Sequence, residues 1–260
     1  MKPTDDIAIE VKHLTAAYGD REILRDINFQ VRRGEVFVII GGSGSGKSTL
    51  LKHIIGLFSP REGEVWIEGE NIVTARGEAR ARLLRRFGVV YQNGALFGSM
   101  TVAENVALPL AEFTDLPEVA RDYVALGKLK VVGLAAAVHR MPSELSGGMQ
   151  KRAAIARAIA LDPPILFLDE PSAGLDPVTS AGLDMLIQEL SRNFGITFVI
   201  VTHELQSICA IGDRVIMLDG QTHTIIAEGS PAALHEQTTN SAVRRFFHRE
   251  AQHGETNRRG

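Results

Sequence analysis

The sequence predicts an α/β fold, with a mixed β core and an inserted helical lobe, from three observations. Strand and helix patterns alternate along most of the chain, as they do in α/β proteins. Residues 36–40 form a short apolar run rich in β-branched types, which is typical of a strand buried on both faces. The alternation lapses between residues 101 and 134, where two helical patterns follow one another without a strand. We therefore expect this stretch to form the helical lobe.

The composition limits the class of protein. The chain has 260 residues, of which 45% are hydrophobic, so it can bury a large core. Its net charge of -3 gives no overall attraction for nucleic acid. The single cysteine, Cys209, excludes an internal disulfide, and its apolar neighbours predict a buried, inert thiol. No apolar run approaches the ~20 residues of a membrane-spanning helix, and the N-terminus is too polar for a signal peptide. We expect a cytoplasmic protein that meets any membrane through a partner.

The first part of the chain predicts strands on both sides of the central strand. Residues 7–12 alternate between apolar and polar side chains, and residues 23–31 continue the strand pattern after a turn. Residues 64–68 predict another short strand. Residues 76–87 carry five arginines beside apolar side chains and predict a basic amphipathic helix. A solvated basic face is the simpler interpretation of this helix, and contact with an anionic membrane surface is the alternative.

An unusual loop follows the next predicted strand. This strand, residues 88–92, ends in Gln92, and the loop after it presents Leu96 and Phe97 between glycines. These apolar side chains either fold back on the core or meet a partner. The remaining predicted elements are helices at 101–110, 117–134 and 149–161, a strand at 165–168, a helix at 177–194, a strand at 196–201 and a hairpin at 213–227.

The central strand runs directly into a glycine-rich loop and a helix. The motif Gly41-x-x-x-x-Gly46-Lys47-Ser48 in this context predicts a phosphate-binding loop, the alternative being a glycine-rich turn without a ligand. Its glycines let backbone N–H groups approach oxygen atoms, and the positive end of the helix points at the same anion. Lys47 is expected at the outer phosphates and Ser48 at a magnesium ion. The predicted nucleotide contacts here are Gly41, Gly42, Ser43, Gly44, Ser45, Gly46, Lys47, Ser48 and Thr49.

A second apolar strand ends in the acidic pair Asp169-Glu170. A carboxylate at a strand end is expected to lie beside the magnesium ion that Ser48 holds, which predicts Asp169 as a metal ligand. Glu170 would then face the terminal phosphate and polarise the attacking water. The alternative is a solvated acidic pair at the end of a strand.

Ser146, Gly147 and Gly148 stand at the start of a helix and predict a second anion site. With this third element the sequence resembles the ATP-binding-cassette (ABC) ATPases, in which these residues match the signature motif. The resemblance implies hydrolysis of ATP with Mg²⁺ in a head-to-tail homodimer. In that arrangement the signature of one copy closes on the phosphate loop of the other.

The same resemblance implies roles for further residues. Tyr18 matches the aromatic that stacks on adenine, and Gln92 matches the glutamine that links the metal site to the membrane partner. Residues 172–176, ending in Asp176, match the loop that crosses the dimer seam, and His203 matches the histidine at the terminal phosphate. The expected catalytic residues are Lys47, Gln92, Glu170 and His203, and the expected metal ligands are Ser48, Gln92 and Asp169.

The resemblance covers about residues 7–235 and implies a division of the chain. We expect a RecA-like ATP-binding core of residues 1–92 and 162–240 that includes an N-terminal antiparallel β part. Residues 93–161 would form the helical signature subdomain, and residues 241–260 a C-terminal tail.

Short matches narrow the resemblance within the family. Met149 stands where many members carry glutamine, and residues 141–149 resemble the ATPases of Mla-type transporters, which serve MCE-domain lipid systems. Residues 94–97 and 242–247 fit the same group. This implies a peripheral protein on the cytoplasmic face of a bacterial inner membrane. It would drive phospholipid movement between the inner and outer membranes of a Gram-negative-type envelope. The implied partners are an integral membrane permease, an MCE-domain lipid-binding protein held through the permease, and a small cytoplasmic regulatory subunit.

Two other functions stay open. The first is an ATPase subunit of an importer for polar amino acids. The second is a soluble ABC ATPase that acts in DNA repair or on ribosomes, although no coiled-coil insertion or second cassette is visible. The tail also has two interpretations. Val243, Phe246 and Phe247 share one helical face, which either packs on its own domain or grips a sister subunit or regulatory protein. Beyond Glu250 the polar sequence predicts disorder.

Overall fold

The structure is a computed structural model that describes residues 6–237 and 239–248. In chain order its strands are β1 (Ile7–Tyr18), β2 (Arg21–Arg32), β3 (Val36–Gly41), β4 (Glu62–Ile67), β5 (Glu70–Asn71), β6 (Phe87–Val90), β7 (Ile165–Asp169), β8 (Thr197–Val201), β9 (Arg214–Leu218) and β10 (Ile225–Gly229). Its helices are α1 (Lys47–Ile54), α2 (Gly77–Leu84), α3 (Val102–Phe113), α4 (Glu118–Val131), α5 (Gly147–Ala158), α6 (Pro177–Phe194), α7 (Leu205–Ile211), α8 (Pro231–Gln237) and α9 (Ser241–His248).

The strands form two sheets. One is antiparallel, in the order β2-β1-β4-β5, and the other has six strands in the order β10-β9-β3-β8-β7-β6. The larger sheet is parallel from β9 to β6, and β10 pairs antiparallel with β9 as the predicted hairpin. The α/β class and the mixed β core are therefore confirmed.

The central strand β3 is buried along its whole length and divides the core. Phe37 and Ile39 belong to a cluster that includes Leu50 of α1, whereas Val38 and Ile40 pack in another cluster with α7, α8 and α9. Successive side chains of a strand point to opposite faces of a sheet. Hence α1, α2 and the antiparallel sheet cover one face of the larger sheet, and helices α5 to α9 cover the other, with α3 and α4 packed on α5.

The predicted helical lobe is present between β6 and β7. Its first helix, α3, begins at a capping box in which Thr101 and Glu104 each accept a hydrogen bond from the other's backbone N–H group, at 3.2 and 2.6 Å. Helices α3, α4 and α5 then pack on one another through buried side chains that include Leu110, Leu129 and Ala153. The residue boundaries that we drew between core, lobe and tail stay predictions.

The prediction of a buried cysteine is wrong, because Cys209 is exposed. Helix α7 turns Ser207, Ile208 and Ile211 inward. Cys209 follows Ile208 by one residue, a step of about 100° around a helix, and so leaves the buried stripe.

The basic helix α2 is only partly solvated. Arg80 is half-buried and donates hydrogen bonds to the carbonyl oxygens of Ile72, at 3.1 Å, and of Gly56. The other four arginines of this stretch are exposed, as the predicted solvated face requires, and Arg80 is the exception. Its guanidinium joins α2 to the turn that follows α1.

The unusual loop and the tail combine core and surface positions. Leu96 packs against the core of the lobe, while Phe97 is 51% exposed. In α9, Val243 and Phe247 are buried against the chain itself and Phe246 is half-buried, which agrees with packing on its own domain. The predicted disorder beyond Glu250 lies outside the described residues. Across residues 6–237 and 239–248, no helix combines the length and hydrophobicity needed to cross a bilayer.

Candidate nucleotide site

The loop between β3 and α1 contains two glycines that no residue with a side chain could replace without strain. Gly41 has φ +152°, and a Cβ there would lie 2.5 Å from the carbonyl oxygen of Leu218 and 2.5 Å from Oγ of Ser45. Gly46 has φ +95°, and its Cβ would lie 2.8 Å from Leu24. Both positions therefore require glycine for conformation and for space. The loop ends where α1 begins. The unpaired N–H groups of the first turn of α1 therefore face the loop.

Lys47 folds over this loop. Its Nζ donates to the carbonyl oxygens of Gly41, at 2.8 Å, and Gly42, at 3.1 Å. Burial lowers the pKa of Lys47, while the carboxylates of Glu170 and Asp169 act in the opposite direction. The lysine predicted from the motif is therefore in the electrostatic field of the predicted acidic pair.

Asp169 lies at the end of β7 with the chemistry of a cation ligand. Its Oδ1 atom is buried and has no hydrogen-bond partner among the described residues. Burial raises the pKa of Asp169, Glu170 raises it further, and Lys52, Lys47 and Lys151 lower it. A carboxylate oxygen that is buried and unpaired can accept a hard cation such as Mg²⁺, which prefers oxygen ligands. The residues present therefore fit a magnesium ion.

Glu170 and His203 form a pair at neighbouring strand ends. The Nδ1 atom of His203 lies 2.9 Å from Oε1 of Glu170. The Glu170 side chain is only 13% exposed, and its Oε2 atom is buried without a hydrogen-bond partner in the described part of the chain. Glu170 has φ +48°, an uncommon conformation for a residue with a side chain, and its N–H group donates to Val201 at 2.8 Å. The fold thus holds the carboxylate of a residue with an uncommon backbone conformation against the imidazole of His203.

The signature residues begin α5. Ser146 caps this helix by accepting a hydrogen bond from the N–H group of Met149 at 3.4 Å. Ser146 and Gly147 are exposed, whereas Gly148 is buried, and a Cβ on Gly148 would lie 2.3 Å from Thr179 of α6. Gly148 therefore permits the close approach of two helices, and the two residues before it face outward.

Helix α1, which follows the phosphate loop, and helix α5, which begins with the signature, pack on opposite faces of the six-stranded sheet. In β8, Val199 and Val201 share a cluster with α1, whereas Phe198 and Ile200 share a cluster with α5. The two helices that follow these motifs are therefore separated by the sheet within one chain.

The other predicted residues lie around these elements. Tyr18 ends β1 and is 50% exposed. Its ring meets that of Phe58 edge-on, with 6.2 Å between the ring centroids. The side chains of Ser48 and Gln92 are exposed near the ends of their elements. Asp176 caps α6 by accepting hydrogen bonds from Val178 and from Thr179, and the Thr179 hydroxyl is the main cause of its lowered pKa.

Sequence reasoning missed three side chains that organise this region. Asn105 is fully buried in α3 and binds the loop after β6. Its side-chain oxygen accepts a hydrogen bond from the N–H group of Phe97, and its side-chain amide donates to the carbonyl oxygens of Phe97, Met100 and Thr101. A polar residue on an apolar helical face could have signalled this role. The other two, Lys151 and Arg157, are basic residues of α5 whose partners lie in distant parts of the sequence.

The chain is similar in sequence and in fold to known proteins. A sequence profile of the family described as ABC transporter matches residues 24–173. The chain is 42% identical, over 87% of its length and 85% of the relative, to the intermembrane phospholipid transport system ATP-binding protein MlaF of Haemophilus influenzae. It is 40% identical to MlaF of Escherichia coli K12, over 92% of this chain and 88% of the relative.

A similar solved structure is the dimeric, post-hydrolysis state of the ATP-binding cassette MJ0796 bound to ADP and Pi. It superposes with a TM-score of 0.77 and 34% sequence identity, covering 86% of this chain and 98% of that one.

Proposed function

The chain belongs to the ABC transporter family and is an ATPase of that family, and on this basis we propose that it is the ATP-binding subunit of a phospholipid transport system. The proposal rests on the identity of 40–42% with MlaF proteins over most of their length. Those relatives are named for intermembrane phospholipid transport, so they favour lipid over the polar amino acid alternative.

One observation carries the mechanism. The acidic pair lies at the end of β7 and Lys47 begins α1, whereas the exposed Ser146 and Gly147 begin α5, which packs on the opposite face of the sheet from α1. We infer that two copies bind two ATP molecules between the phosphate loop of one and the signature of the other. Cassettes of this family form dimers, as in the structure with ADP and Pi. Closure on ATP and opening after hydrolysis would then supply the movement that a permease uses.

The proposed chemistry assigns a role to each group. Lys47 and the helix N-termini bind the phosphates and neutralise developing charge. Glu170 polarises the attacking water, and His203, 2.9 Å from it, holds the carboxylate and contacts the terminal phosphate. Tyr18 stacks on the adenine. Catalysis by such a site comes mainly from positioning and charge.

Magnesium would be held by Asp169, Ser48 and Gln92. These residues would hold an ion whose chemistry is to neutralise phosphate charge. The unpaired, buried Oδ1 atom of Asp169 is the structural support for this assignment.

Isolation of the complex tests the cargo. The full-length chain, tagged and expressed in its own bacterium, should be recovered from detergent-solubilised membranes with an integral permease and an MCE-domain lipid-binding protein. Vesicles that contain this complex should transfer labelled phospholipid only with hydrolysable ATP. Recovery of a periplasmic amino acid-binding protein would favour the importer, and recovery of ribosomes or DNA would favour the soluble class. A small cytoplasmic subunit in the same complex would identify the regulatory partner.

Location is tested with the same tag. We propose a peripheral protein on the cytoplasmic face of the inner membrane. The chain should sediment with inner membranes and be released when the permease is deleted. Continued sedimentation without the permease would show another anchor.

A further inference from the structure

Lys151 is a buried cation in the signature helix. It lies in the second turn of α5 and is only 7% exposed. Burial lowers its pKa, and the carboxylates of Asp169 and Glu170 oppose that effect. A buried lysine is costly unless its charge is compensated and its donors are used. The structure meets that requirement with groups of the hydrolytic site.

The Nζ atom of Lys151 joins two strand ends. It donates to the main-chain carbonyl oxygen of Gln92 and to that of Glu170, the latter at 3.4 Å. Gln92 follows β6 and Glu170 follows β7, and these strands are adjacent and parallel. One ammonium therefore links the backbone of the residue proposed to hold the metal to the backbone of the residue proposed to activate water.

The contact with Glu170 supports a strained residue. Its φ of +48° must be held by its surroundings. The N–H group of Glu170 donates to Val201, and its carbonyl oxygen accepts from Ala173 at 3.2 Å as well as from Lys151. The lysine is the partner in this set that comes from the helical lobe.

A second cation ties α5 to the same loop. Arg157 donates to the carbonyl oxygens of Ala95, at 2.7 Å, and Gly94, at 2.9 Å. The arginine next to Lys151 makes a useful contrast, because Arg152 donates to Val132 and Gly182, outside this loop. The helix that carries the signature is thus bound at two points to the segment that begins at Gln92.

We propose that Lys151 is a positioning residue that fixes the backbone of Gln92 and Glu170 to the signature helix of the same chain. The proposal deepens and rests on the function proposed above. In a head-to-tail dimer, the signature of each chain serves the partner's ATP. Lys151 therefore couples the position of Gln92 and Glu170, which act on one ATP, to the position of α5, which contacts the other ATP.

The first test compares matched variants of the full-length chain. K151M keeps an unbranched side chain that is one atom shorter and removes the ammonium donors, and K130M alters an exposed lysine of α4 as a control. We expect K151M to keep the KM for ATP within about twofold while kcat falls about tenfold or more, because misplaced catalytic groups lower the rate of the chemical step. K151R retains charge and donors and should recover most of the lost rate. K130M should match the unsubstituted chain. An unchanged kcat in K151M would overturn the proposal.

The second test asks which ATP site Lys151 serves. Two differently tagged copies are purified as heterodimers, and one copy carries E170Q, so that hydrolysis depends on the Glu170 of the other. K151M is placed on either copy, and a single turnover of bound ATP is measured. We expect the loss of at least about tenfold only when K151M is on the copy with the intact Glu170. A loss that follows the E170Q copy, or an equal loss in both heterodimers, would overturn the proposal.

The unsubstituted homodimer separates this inference from the proposed function. If it fails to dimerise or to hydrolyse ATP, the proposed function fails first. If it works and K151M behaves otherwise than described, only the role of Lys151 is refuted.

Discussion

Replacing Glu170 with glutamine tests the proposed base in this site. The E170Q side chain keeps the size of Glu170 and can still meet His203, whose Nδ1 lies 2.9 Å from the carboxylate. It loses the negative charge and the basicity of an oxygen that is buried without a partner. Loss of a general base costs about a hundredfold to ten-thousandfold in rate. This corresponds to about 3–5 kcal/mol in the activation free energy.

The assay separates hydrolysis from binding. The rate of phosphate release by the purified full-length chain should fall about a hundredfold or more. The equilibrium Kd for ATP should change little, because Lys47 and the glycine loop are intact. E204Q is the matched control, because Glu204 also approaches His203, at 3.5 Å from Nε2, but is not the residue proposed to activate water. Near-normal turnover in E170Q would show that another group activates water. A similar loss in E204Q would show that the charge around His203, rather than the base, limits the rate.

Two further predictions concern packing and protonation. G148A should lower the thermal midpoint of unfolding, because its Cβ would lie 2.3 Å from Thr179. G147A, whose Cβ would lie 3.4 Å from its nearest neighbour, should change the midpoint much less, and equal midpoints in the two variants would contradict the close helix contact. Burial raises the pKa of Asp184 above its ordinary value of 3.8, so its contribution to stability is complete below that value and is lost as pH rises through the raised pKa. D184N should therefore unfold at a higher temperature than the unsubstituted chain at neutral pH, with a difference that shrinks towards pH 3.8, and a constant difference would contradict this assignment.

The parts of the site that are local in sequence could be predicted. Strand β3, the glycine loop and α1 are contiguous, so spacing alone predicts the geometry from Gly41 to Ser48. The acidic pair is predicted in the same way, because two residues that directly end an apolar strand must lie at the edge of the sheet where that strand ends.

The contacts that depend on tertiary packing could not be predicted. Lys151 meets carbonyl oxygens that are 59 and 19 residues away in the chain, and the spacing of α5 does not contain that information. Cys209 lies in an apolar stretch, yet the short helix α7 buries only one side. Arg80 is in a basic stretch typical of a solvated face, but it bonds to carbonyl oxygens beside α1. In each case the neighbours in space, rather than in sequence, decide the environment.

A crosslinking measurement tests the shared ATP site most directly. One copy carries S43C in the exposed phosphate loop and a second, differently tagged copy carries S146C in the exposed signature. Both also carry C209S, because the exposed native thiol would react, and E170Q, so that ATP persists. With a short bifunctional maleimide, the account predicts a crosslink between the two copies that forms with ATP and is lost without it. Crosslinking that is equally weak with and without ATP would contradict a nucleotide held between the phosphate loop of one chain and the signature of another.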